Sequence, residues 1–581
     1  MKMNMRWQIG LAVLCFGIVL ALLFYVTKQF VAEAGASAPY QPGSVVPVPL
    51  SQTPGACSAR IPESGGVFIE GVLGAPQFLN PLFSDNYPLD RELNSLIFDG
   101  LTQYGRSGEL EPALAESWSV SEDGLSVTFT MRDDVFWHDG EPVTAADVAF
   151  TYGLLQAGDY PGETAVRDLW RAVTIQQIDD RTISFTLPEP YSPFLEATTR
   201  GVLPAHLLEG ETAVSLQTAA FNQVPVGTGP FMVDSEIKWQ ENGRLRLLPN
   251  PQNWSNGTHI TALEFIFFPN EETLLQAFAE SGIHAINRVT DTALPQLATV
   301  PEARLFTAPD HRYTIALFNM DAAPSDLLQW KTGRQALAVA LDRPALIDQA
   351  LHGQGLPLEG PYLPSSWAYN PGLNAPYSYD LATAKAWIEE LGWVLPEGGN
   401  VREKDGEPLL LSLLTLNTPQ QKALAEAISQ QWLHAGIKTE VRLANNVSEL
   451  RQRLEEGEFD VALVDFVPPG DPDLYDFWSQ EAILDGNNMA RWNNRKASEA
   501  LEFGRQTWDT DERRPFYNTF QRYYNQNLPA LTLYQHVYTY GLSPKVNQAE
   551  IGLITEPRDR YQTLAQWFLN YQDISVDCAS N

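Results

Sequence analysis

A stretch in which strands and helices alternate, residues 409–466, constrains the fold more than any other part of the sequence. Residues 409–416 form a continuous apolar run, which is typical of a strand buried on both faces. Thr418 can cap a helix that has Pro419 at its first position and ends at Gly436. The first strand and helix of an α/β unit can therefore be predicted from local signals.

Two more strands follow at the spacing that such a unit requires. Ile437, Val441 and Leu443 mark one strand, residues 448–456 a second helix, and residues 460–466 a third strand. The order β-α-β-α-β predicts a parallel sheet with right-handed crossovers, and so an α/β fold.

The segment after the third strand, residues 467–473, has the sequence Val-Pro-Pro-Gly-Asp-Pro-Asp. Its prolines forbid further helix or inner strand, so a rigid loop is expected. Ligands of parallel sheets bind beyond the carboxyl ends of the strands, which makes this loop a candidate cleft rim. The same composition fits an ordinary turn, and the residues alone leave both interpretations open.

A second region, residues 101–204, is rich in short strand patterns. Asp-Gly at residues 123–124 is a hairpin turn signal, and apolar and polar residues alternate over residues 126–131. Thr144 and Asp147 have the spacing of a capping box and predict the start of a helix. This region is therefore expected to form a sheet of its own.

Charge and motifs disfavour several classes of function. Lys and Arg number 38 against 71 Asp and Glu, a formal net charge of −33, which disfavours a phosphate-binding surface for nucleic acid. The sequence has no GxxxxGK[ST] phosphate loop, no GxSxG nucleophile elbow and no HExxH zinc helix. His138, beside a turn glycine, is expected to make a local hydrogen bond. We therefore expect no catalytic residue, no metal site and no cofactor.

The first part of the chain, residues 1–30, predicts a transmembrane anchor. Basic residues precede an apolar run over residues 9–26, which is just long enough to span a bilayer with the following chain outside. Ala-Glu-Ala at residues 32–34 fits a cleavage site, so a cleaved signal segment is the alternative. Residues 31–63 have the composition of a flexible linker.

Two of the three cysteines, Cys57 and Cys578, lie near the two ends of the exported part. A disulfide between them is chemically allowed outside the cytoplasm. It requires Cα atoms roughly 4.4–6.8 Å apart, a separation that the sequence does not give. The pairing therefore stays open.

The order and spacing of eight short motifs resemble the extracellular solute-binding proteins of family 5, over nearly all of residues 64–570. These proteins serve importers of the ATP-binding cassette (ABC) type for dipeptides, oligopeptides, and some nickel and sugar solutes. The motifs are LNP at residues 79–81, LIFDGL at 96–101, PALAESW at 112–118, FTMRDDVFWHDGEPVTAADV at 129–148, PVGTGPF at 225–231, RQA with ALDR at 334–336 and 340–343, MARW at 489–492, and LPALTLY at 528–534.

The resemblance implies a fold and a division of the chain. The fold is α/β and bilobal, similar to the type II periplasmic binding proteins, with mixed sheets and an extra strand-rich lobe inserted. Lobe I would comprise residues 64–101, 210–309 and 528–581, lobe II residues 102–209, and lobe III residues 310–527. The ligand would lie between lobes I and III, which close by a hinge motion.

The resemblance also implies two groups of ligand contacts. One group follows the LNP motif by a few residues. The other lies at the end of the third strand, where peptide-binding members pair with the peptide backbone. The implied ligand-binding residues are Asp85, Asn86, Tyr87, Asp465, Phe466, Val467 and Asp471.

This sequence departs from the family pattern at the second group. Peptide-binding members usually have an aspartate just after this strand, which pairs with the α-ammonium group of the ligand. Pro468 or Pro469 occupies that position here. Asp471 and Asp465 are the candidate replacements, because a buried ammonium group without a counter-charge is costly.

These observations predict the solute-binding subunit of an ABC importer, which captures di- or oligopeptides and is not an enzyme. It would act as a monomer at the outer face of the cytoplasmic membrane, with ABC permease subunits as partners. One alternative is the same fold binding another solute, such as a sugar or a metal chelate. Another is a solute sensor that serves no permease. A secreted hydrolase is disfavoured because no nucleophile, base and orienting group are apparent.

Overall fold

The computed structural model describes residues 57–85, 87–105, 109–253, 258–290, 292–301, 303–321, 326–374, 377–551, 554 and 557–576. The predicted anchor at residues 1–30, most of the predicted linker, Asn86 and Cys578 lie outside these ranges. Within them, no helix combines the length and the apolar character that crossing a bilayer requires.

The described residues contain 21 strands, numbered here in chain order. They are β1 Cys57–Glu63, β2 Val67–Leu73, β3 Thr102–Tyr104, β4 Leu110–Pro112, β5 Ala115–Val120, β6 Ser126–Met131, β7 Thr174–Gln177, β8 Thr182–Thr186, β9 Phe231–Val233, β10 Arg244–Pro249, β11 Ala262–Phe268, β12 Ala285–Ile286, β13 Arg304–Phe318, β14 Gly355–Pro357, β15 Glu403–Lys404, β16 Glu407–Pro408, β17 Leu410–Leu416, β18 Lys438–Ala444, β19 Val461–Phe466, β20 Ala530–Leu542 and β21 Asn570–Val576.

The α-helices of the described residues are numbered in the same way. They are α1 Pro88–Ile97, α2 Ala145–Gln156, α3 Thr164–Ala172, α4 Phe194–Ala197, α5 Trp239–Asn242, α6 Glu271–Ala279, α7 Leu294–Leu297, α8 Lys331–Val339, α9 Arg343–Leu351, α10 Leu381–Glu390, α11 Pro419–His434, α12 Val447–Glu455, α13 Tyr475–Trp478, α14 Glu481–Leu484, α15 Arg495–Gln506 and α16 Thr510–Asn527. Short 3₁₀ helices span Ala205–Leu207, Ser215–Thr218, Ala220–Gln223, Pro371–Leu373, Pro557–Tyr561 and Leu564–Gln566.

Eleven of these strands form one long mixed sheet. Its order is β18-β17-β19-β13-β20-β12-β2-β11-β10-β9, and β14 pairs with β20 beside this path. At one end β17 is parallel to β18 and β19, and toward the other end β2 is parallel to β11 and β12. The other pairs in this sheet are antiparallel. The α/β class with mixed sheets is therefore confirmed.

The predicted β-α-β-α-β unit is confirmed as β17-α11-β18-α12-β19. The Thr418 hydroxyl accepts the backbone N–H of the third residue of α11 at 3.2 Å, and Pro419 is the first residue of that helix. Leu411 and Leu413 belong to one hydrophobic core and Leu414 to another. The apolar run therefore forms a strand buried on both faces, as its composition indicates.

Two long strands, β13 and β20, join the two ends of the sheet. β13 pairs with β19 on one side, and β20 pairs with β12 on the other. Their mutual register slips in the middle, where residues 310–312 of β13 face only His536 of β20. Gln535 stabilises this bulge, because its side-chain amide donates to the carbonyl oxygen of Asp310 at 2.8 Å.

A separate antiparallel sheet, β5-β6-β8-β7, lies within the strand-rich region. The predicted hairpin turn joins β5 to β6, with Gly124 at φ 71°. The predicted helix is α2, and the Asp147 carboxylate accepts the Thr144 N–H at 2.9 Å. Asp147 also accepts the N–H of Ala205 at 2.9 Å, so this cap fixes a distant segment as well.

His138 makes hydrogen bonds, but they are not the local ones that the sequence predicts: their partners lie 89 and 91 residues later in the chain. Its Nδ1 accepts the N–H of Gly227 at 3.1 Å, and its Nε2 lies 3.1 Å from the carbonyl oxygen of Gly229. Burial lowers the pKa of His138 to about 4, so the ring is neutral at pH 7 and donates from Nε2. Residue 227 has to be glycine, because a Cβ there would overlap the carbonyl oxygen of Ile97.

The two ends of the described chain pair with each other. β1 is antiparallel to β21, with Cys57 opposite Val576. The last seven residues of the predicted linker are therefore a strand, because β21 supplies a partner that the local composition does not reveal. Cys578 lies outside the described residues, so the disulfide stays a prediction.

A cluster of buried charged side chains connects the C-terminal segment to the long sheet. Arg560 is fully buried, and its guanidinium group pairs with Glu70 of β2 at 2.5 Å and with Glu92 of α1. Tyr540 and Tyr561 donate their hydroxyl protons to Glu70 at 2.6 and 2.9 Å. Burial raises the pKa of Glu92, while the charge of Arg560 opposes that rise. One guanidinium group therefore compensates two carboxyl groups that are out of contact with water.

Replacing Arg560 with methionine is expected to lower the free energy of unfolding by about 3–5 kcal/mol, because two buried carboxylates lose their counter-charge. Chemical denaturation of Arg560→Met and wild type measures this loss. The matched control is Arg495→Met, since Arg495 pairs with Glu499 at the surface and 77% of its side chain is exposed. The control should cost less than about 1 kcal/mol. Equal losses in the two variants would contradict the role of the buried cluster.

Candidate ligand-binding site

A cavity of about 940 Å³ lies where α1, the bulge of β13 and the loop after β19 approach one another. Its lining includes Pro88 and Arg91 of α1, bulge residues 310–312, loop residues 467–470 and Trp367. The volume is at the upper end of the range of roughly 300–1,000 Å³ that small-molecule sites typically have. Segments from distant parts of the chain therefore enclose a space large enough for a small organic ligand.

The bulge of β13 brings charged groups to this cavity. Asp310 pairs with Arg288 at 3.1 Å and lies 3.7 Å from Arg312. The Nε2 atom of His311 lies 3.0 Å from the carbonyl oxygen of Pro468, which joins the bulge to the loop after β19. Bulges often redirect side chains beside functional sites, and here three consecutive side chains reach the cavity lining.

The loop after β19 lines the cavity at the carboxyl end of a parallel strand, the position that the sequence indicates for a cleft rim. Val467 is 60% exposed. Pro468 and Pro469 have no N–H group, so within residues 467–469 only Val467 can donate a backbone hydrogen bond to a ligand. Any backbone pairing with a ligand along this stretch is therefore short.

Asp465 lies at the end of β19, but its carboxylate contacts the protein. It accepts hydrogen bonds from Thr314 at 2.6 Å and Gln421 at 3.0 Å, and it lies 3.3 Å from Nε2 of His536. Burial alone would raise the pKa of Asp465, but its interactions with His536, the hydrogen bond from Thr314 and the nearby charge of Arg312 hold it at about 2. Asp465 is therefore an anion with several protein partners.

Asp471 forms a buried ion pair with Arg513. The two N–O distances are 2.7 and 2.8 Å, and the two side chains are 10% and 5% exposed. The guanidinium group of Arg513 also lies 5.1 Å from the ring of Trp367, a residue of the cavity lining. The role of Asp471 as an ammonium-binding anion stays a prediction, and its carboxylate already has a partner.

Most of the other residues predicted to bind the ligand do not line the cavity. Asp85 accepts two hydrogen bonds from Arg200 at 2.8 and 2.9 Å. Tyr87 is 42% exposed and precedes Pro88 of the lining, while Phe466 packs between aromatic rings. Asn86 lies outside the described residues. Of the predicted residues that the structure describes, Val467 is the one that lines the cavity.

Sequence reasoning missed several charged residues of both signs that line the cavity. Arg91 lies one helical turn after Tyr87, so the predicted contact at Tyr87 was a usable signal for it. Glu196 has no such signal, because the loop that it contacts lies 274 residues later. The missed charged residues are Arg91, Arg288, Arg312, Asp310, Glu109, Glu163 and Glu196.

Changing Asp471 to asparagine is expected to lower the free energy of unfolding by about 3 kcal/mol, because Arg513 would lose its buried counter-charge. Denaturant titration measures the change. The control is Asp134→Asn, because Asp134 also receives two hydrogen bonds from an arginine, Arg132, but is 58% exposed. That variant should lose less than about 1 kcal/mol. Unchanged stability of Asp471→Asn combined with lost ligand affinity would instead assign Asp471 to the ligand.

The low pKa of Asp465 predicts a pH-dependent contribution to stability. A carboxyl group whose pKa falls from 3.8 to about 2 on folding stabilises the protein above pH 3.8, and this stabilisation is lost as the pH falls through 2. Asp465→Asn should therefore cost about 2 kcal/mol at pH 7 and roughly half of that at pH 3. Unfolding at both pH values tests this, with the exposed Asp348→Asn as control. A cost that is equal at the two pH values would contradict it.

Comparison with known proteins agrees with this geometry. A family model described as bacterial extracellular solute-binding proteins, family 5 Middle, matches residues 109–483. Protein XP55 of Streptomyces lividans is 31% identical over 517 residues, which cover 86% of this chain and 88% of that protein. The match to the family model extends over more than half of the chain.

Solved structures share the fold. The oligopeptide-binding protein AppA from Bacillus subtilis, in complex with a nonapeptide, has a TM-score of 0.67 and 22% identity, and the match covers 88% of this chain and 100% of AppA. NikZ from Campylobacter jejuni, in complex with Ni(L-His), has a TM-score of 0.68 and 25% identity, with 86% and 99% covered. By its sequence, this chain belongs to the bacterial extracellular solute-binding proteins of family 5.

Proposed function

We propose that this chain is the extracytoplasmic solute-binding subunit of an ABC importer and that it captures short peptides. The observation that carries the proposal is the 940 Å³ cavity at the carboxyl end of β19, with charged groups of both signs in its lining. The sequence shows no apparent set of nucleophile, base and orienting group that could act on a bound solute. The proposed role is therefore to bind a solute and release it unchanged.

The proposal includes three lobes that meet around this cavity. Lobe I comprises residues 64–101, 210–309 and 528–581, lobe II residues 102–209, and lobe III residues 310–527. The sheet topology supports this division, because the four-stranded sheet lies in lobe II and the β17–β19 unit lies in lobe III. β13 and β20 run between the two ends of the long sheet, so bending at their bulge would open and close the cavity.

The chemistry of the lining supports a zwitterionic ligand with amide groups. Arg91 and Arg312 offer donors for a carboxylate, and Glu109 and Glu163 offer acceptors for an ammonium group. Aromatic rings, among them Trp367, can pack against apolar side chains of a peptide. A ligand of a few residues matches both the charge pattern and the volume.

Two relatives support different ligand classes. The AppA structure contains a nonapeptide, which favours a peptide ligand, whereas the NikZ structure contains Ni(L-His). A metal chelate of an amino acid is therefore the second candidate. In either case the partner would be a membrane permease that recognises the closed form, with residues 1–30 as a tether and the chain itself a monomer.

Peptide binding is expected to raise the melting temperature of the full chain. A ligand at 100 times its Kd stabilises the folded state by about 2.7 kcal/mol through mass action. Thermal unfolding with a panel of di- to nonapeptides, Ni(L-His) and sugars measures this effect. A shift with Ni(L-His) and none with any peptide would contradict the peptide assignment, and an unmoved melting temperature throughout would contradict solute capture.

Partly filling the cavity should weaken that response. Val467→Trp places a large ring at an exposed lining position and is expected to weaken peptide binding at least tenfold, which corresponds to about 1.4 kcal/mol. The matched control is Val447→Trp, because Val447 is 68% exposed, similar to the 60% of Val467, and lies outside the cavity lining. Titration calorimetry measures both. Equal Kd values for the two variants would exclude this cavity as the peptide site.

A further inference from the structure

A single carboxylate connects the small-sheet part of the molecule to the loop after β19. Glu196 of α4 accepts the N–H of Gly470 with Oε1 at 2.8 Å and the N–H of Asp471 with Oε2 at 2.9 Å. Its side chain also hydrogen bonds with Tyr104. A carboxylate fits this role because its two oxygens can each accept one of two consecutive N–H groups.

The loop is shaped for this contact. A Cβ at position 470 would overlap the hydroxyl group of Tyr104 and approach Oε1 of Glu196, so glycine lets these two side chains lie against the loop backbone. The N–H groups held by Glu196 follow directly on Pro468 and Pro469, which line the cavity. Glu196 therefore fixes the part of the loop that would face a ligand.

Other contacts join the same two parts of the molecule. The N–H and hydroxyl groups of Ser192 both donate to the carbonyl oxygen of Arg505, at 2.7 and 3.0 Å. The indole N–H of Trp508 donates to the carbonyl oxygen of Gly124 at 3.1 Å. If the cavity opened on this side, all of these contacts would break together and Glu196 would become more exposed to water.

We infer that Glu196 is a positioning residue for ligand capture, which holds the loop after β19 against the cavity in the closed form and makes closure more favourable as the pH falls. This inference rests on the proposed function, because it concerns how the same cavity closes on its ligand. The geometry carries it: two backbone donors from one part meet one partly buried carboxylate from the other.

The sign of the pH effect follows from burial. Desolvation raises the pKa of Glu196 from 4.5 to about 7 in the closed form, with the N–H of Asp471 opposing the rise and the charge of Asp471 adding to it. In an open form the exposed carboxyl group would have its ordinary pKa. The closed form therefore binds a proton more tightly, so closure is most favourable below pH 4.5 and loses this contribution as the pH rises through 7.

Other ionisable groups lie on the surrounding elements, and most are already paired. Burial raises the pKa of Asp473 to about 6, so this residue could contribute a pH dependence of its own. The experiment must therefore distinguish the pH dependence due to Glu196 from that of the neighbouring ionisable groups. These groups are the ion pairs Asp471 with Arg513, Asp473 with Arg505 and Asp85 with Arg200, together with Tyr104 and with His311, whose ring contacts the carbonyl oxygen of Pro468.

The test measures Kd by calorimetry at pH 6 and pH 8, using a peptide that shifts the melting temperature of the full chain. Wild type is expected to bind up to about tenfold more tightly at pH 6, the factor that a pKa change from 4.5 to about 7 gives over this interval. Glu196→Gln should bind with the same Kd at both pH values, within about twofold. The control, Glu390→Gln, changes an exposed carboxylate on α10 outside the cavity lining and should keep the wild-type pH dependence.

A second measurement, made on the wild-type protein without ligand, does not depend on whether the Glu196→Gln variant folds. Small-angle scattering of wild type should give a smaller radius of gyration at pH 6 than at pH 8. An equal pH dependence of Kd in wild type and Glu196→Gln would overturn the inference and leave the proposed function standing. Failure of every peptide to bind at either pH would overturn the proposed function and this inference with it.

Discussion

The pairing of β13 with β20 is the constraint on which the rest of the structure depends. Each strand has neighbours from a different end of the long sheet, so this pair joins the two halves. The register slip in its middle places residues 310–312 opposite one residue, and Gln535 satisfies the carbonyl group that the slip leaves without a ladder partner. The point where the sheet is most irregular is thus also the point where charged side chains reach the cavity.

The parts of the fold that sequence reasoning predicted correctly are those whose information is local. The β17–β19 unit has apolar runs of strand length, and Thr418 and Thr144 precede their helices with capping patterns. β13 could not be predicted as one strand of 15 residues, because Pro309 and the polar residues after it interrupt every strand pattern. Its continuity depends on β20, which begins more than 200 residues later in the chain.

At the candidate site, too, the sequence predicts local features but not the contacts between distant residues. The rule about carboxyl ends of parallel strands led to the loop after β19, and that loop does line the cavity. The rule could not tell which carboxylates are free. Asp471 pairs with Arg513, 42 residues later, and Asp465 contacts His536, 71 residues later. A sequence gives the sign of a charge, but the partner of that charge depends on the packing of distant elements.

The loop after β19 also restricts how a ligand could be held in the proposed role. Pro468 and Pro469 have no N–H, and the next two N–H groups, those of Gly470 and Asp471, donate to the carboxylate of Glu196. This wall therefore offers a ligand few backbone donors beyond Val467, and prolines make up much of the rest of it. Donors come from arginines elsewhere in the lining, among them Arg91 and Arg312. A bound zwitterion would then direct its carboxylate toward the arginines and its ammonium group toward Glu109 and Glu163, which gives the cavity a preferred ligand orientation without a free aspartate on the loop.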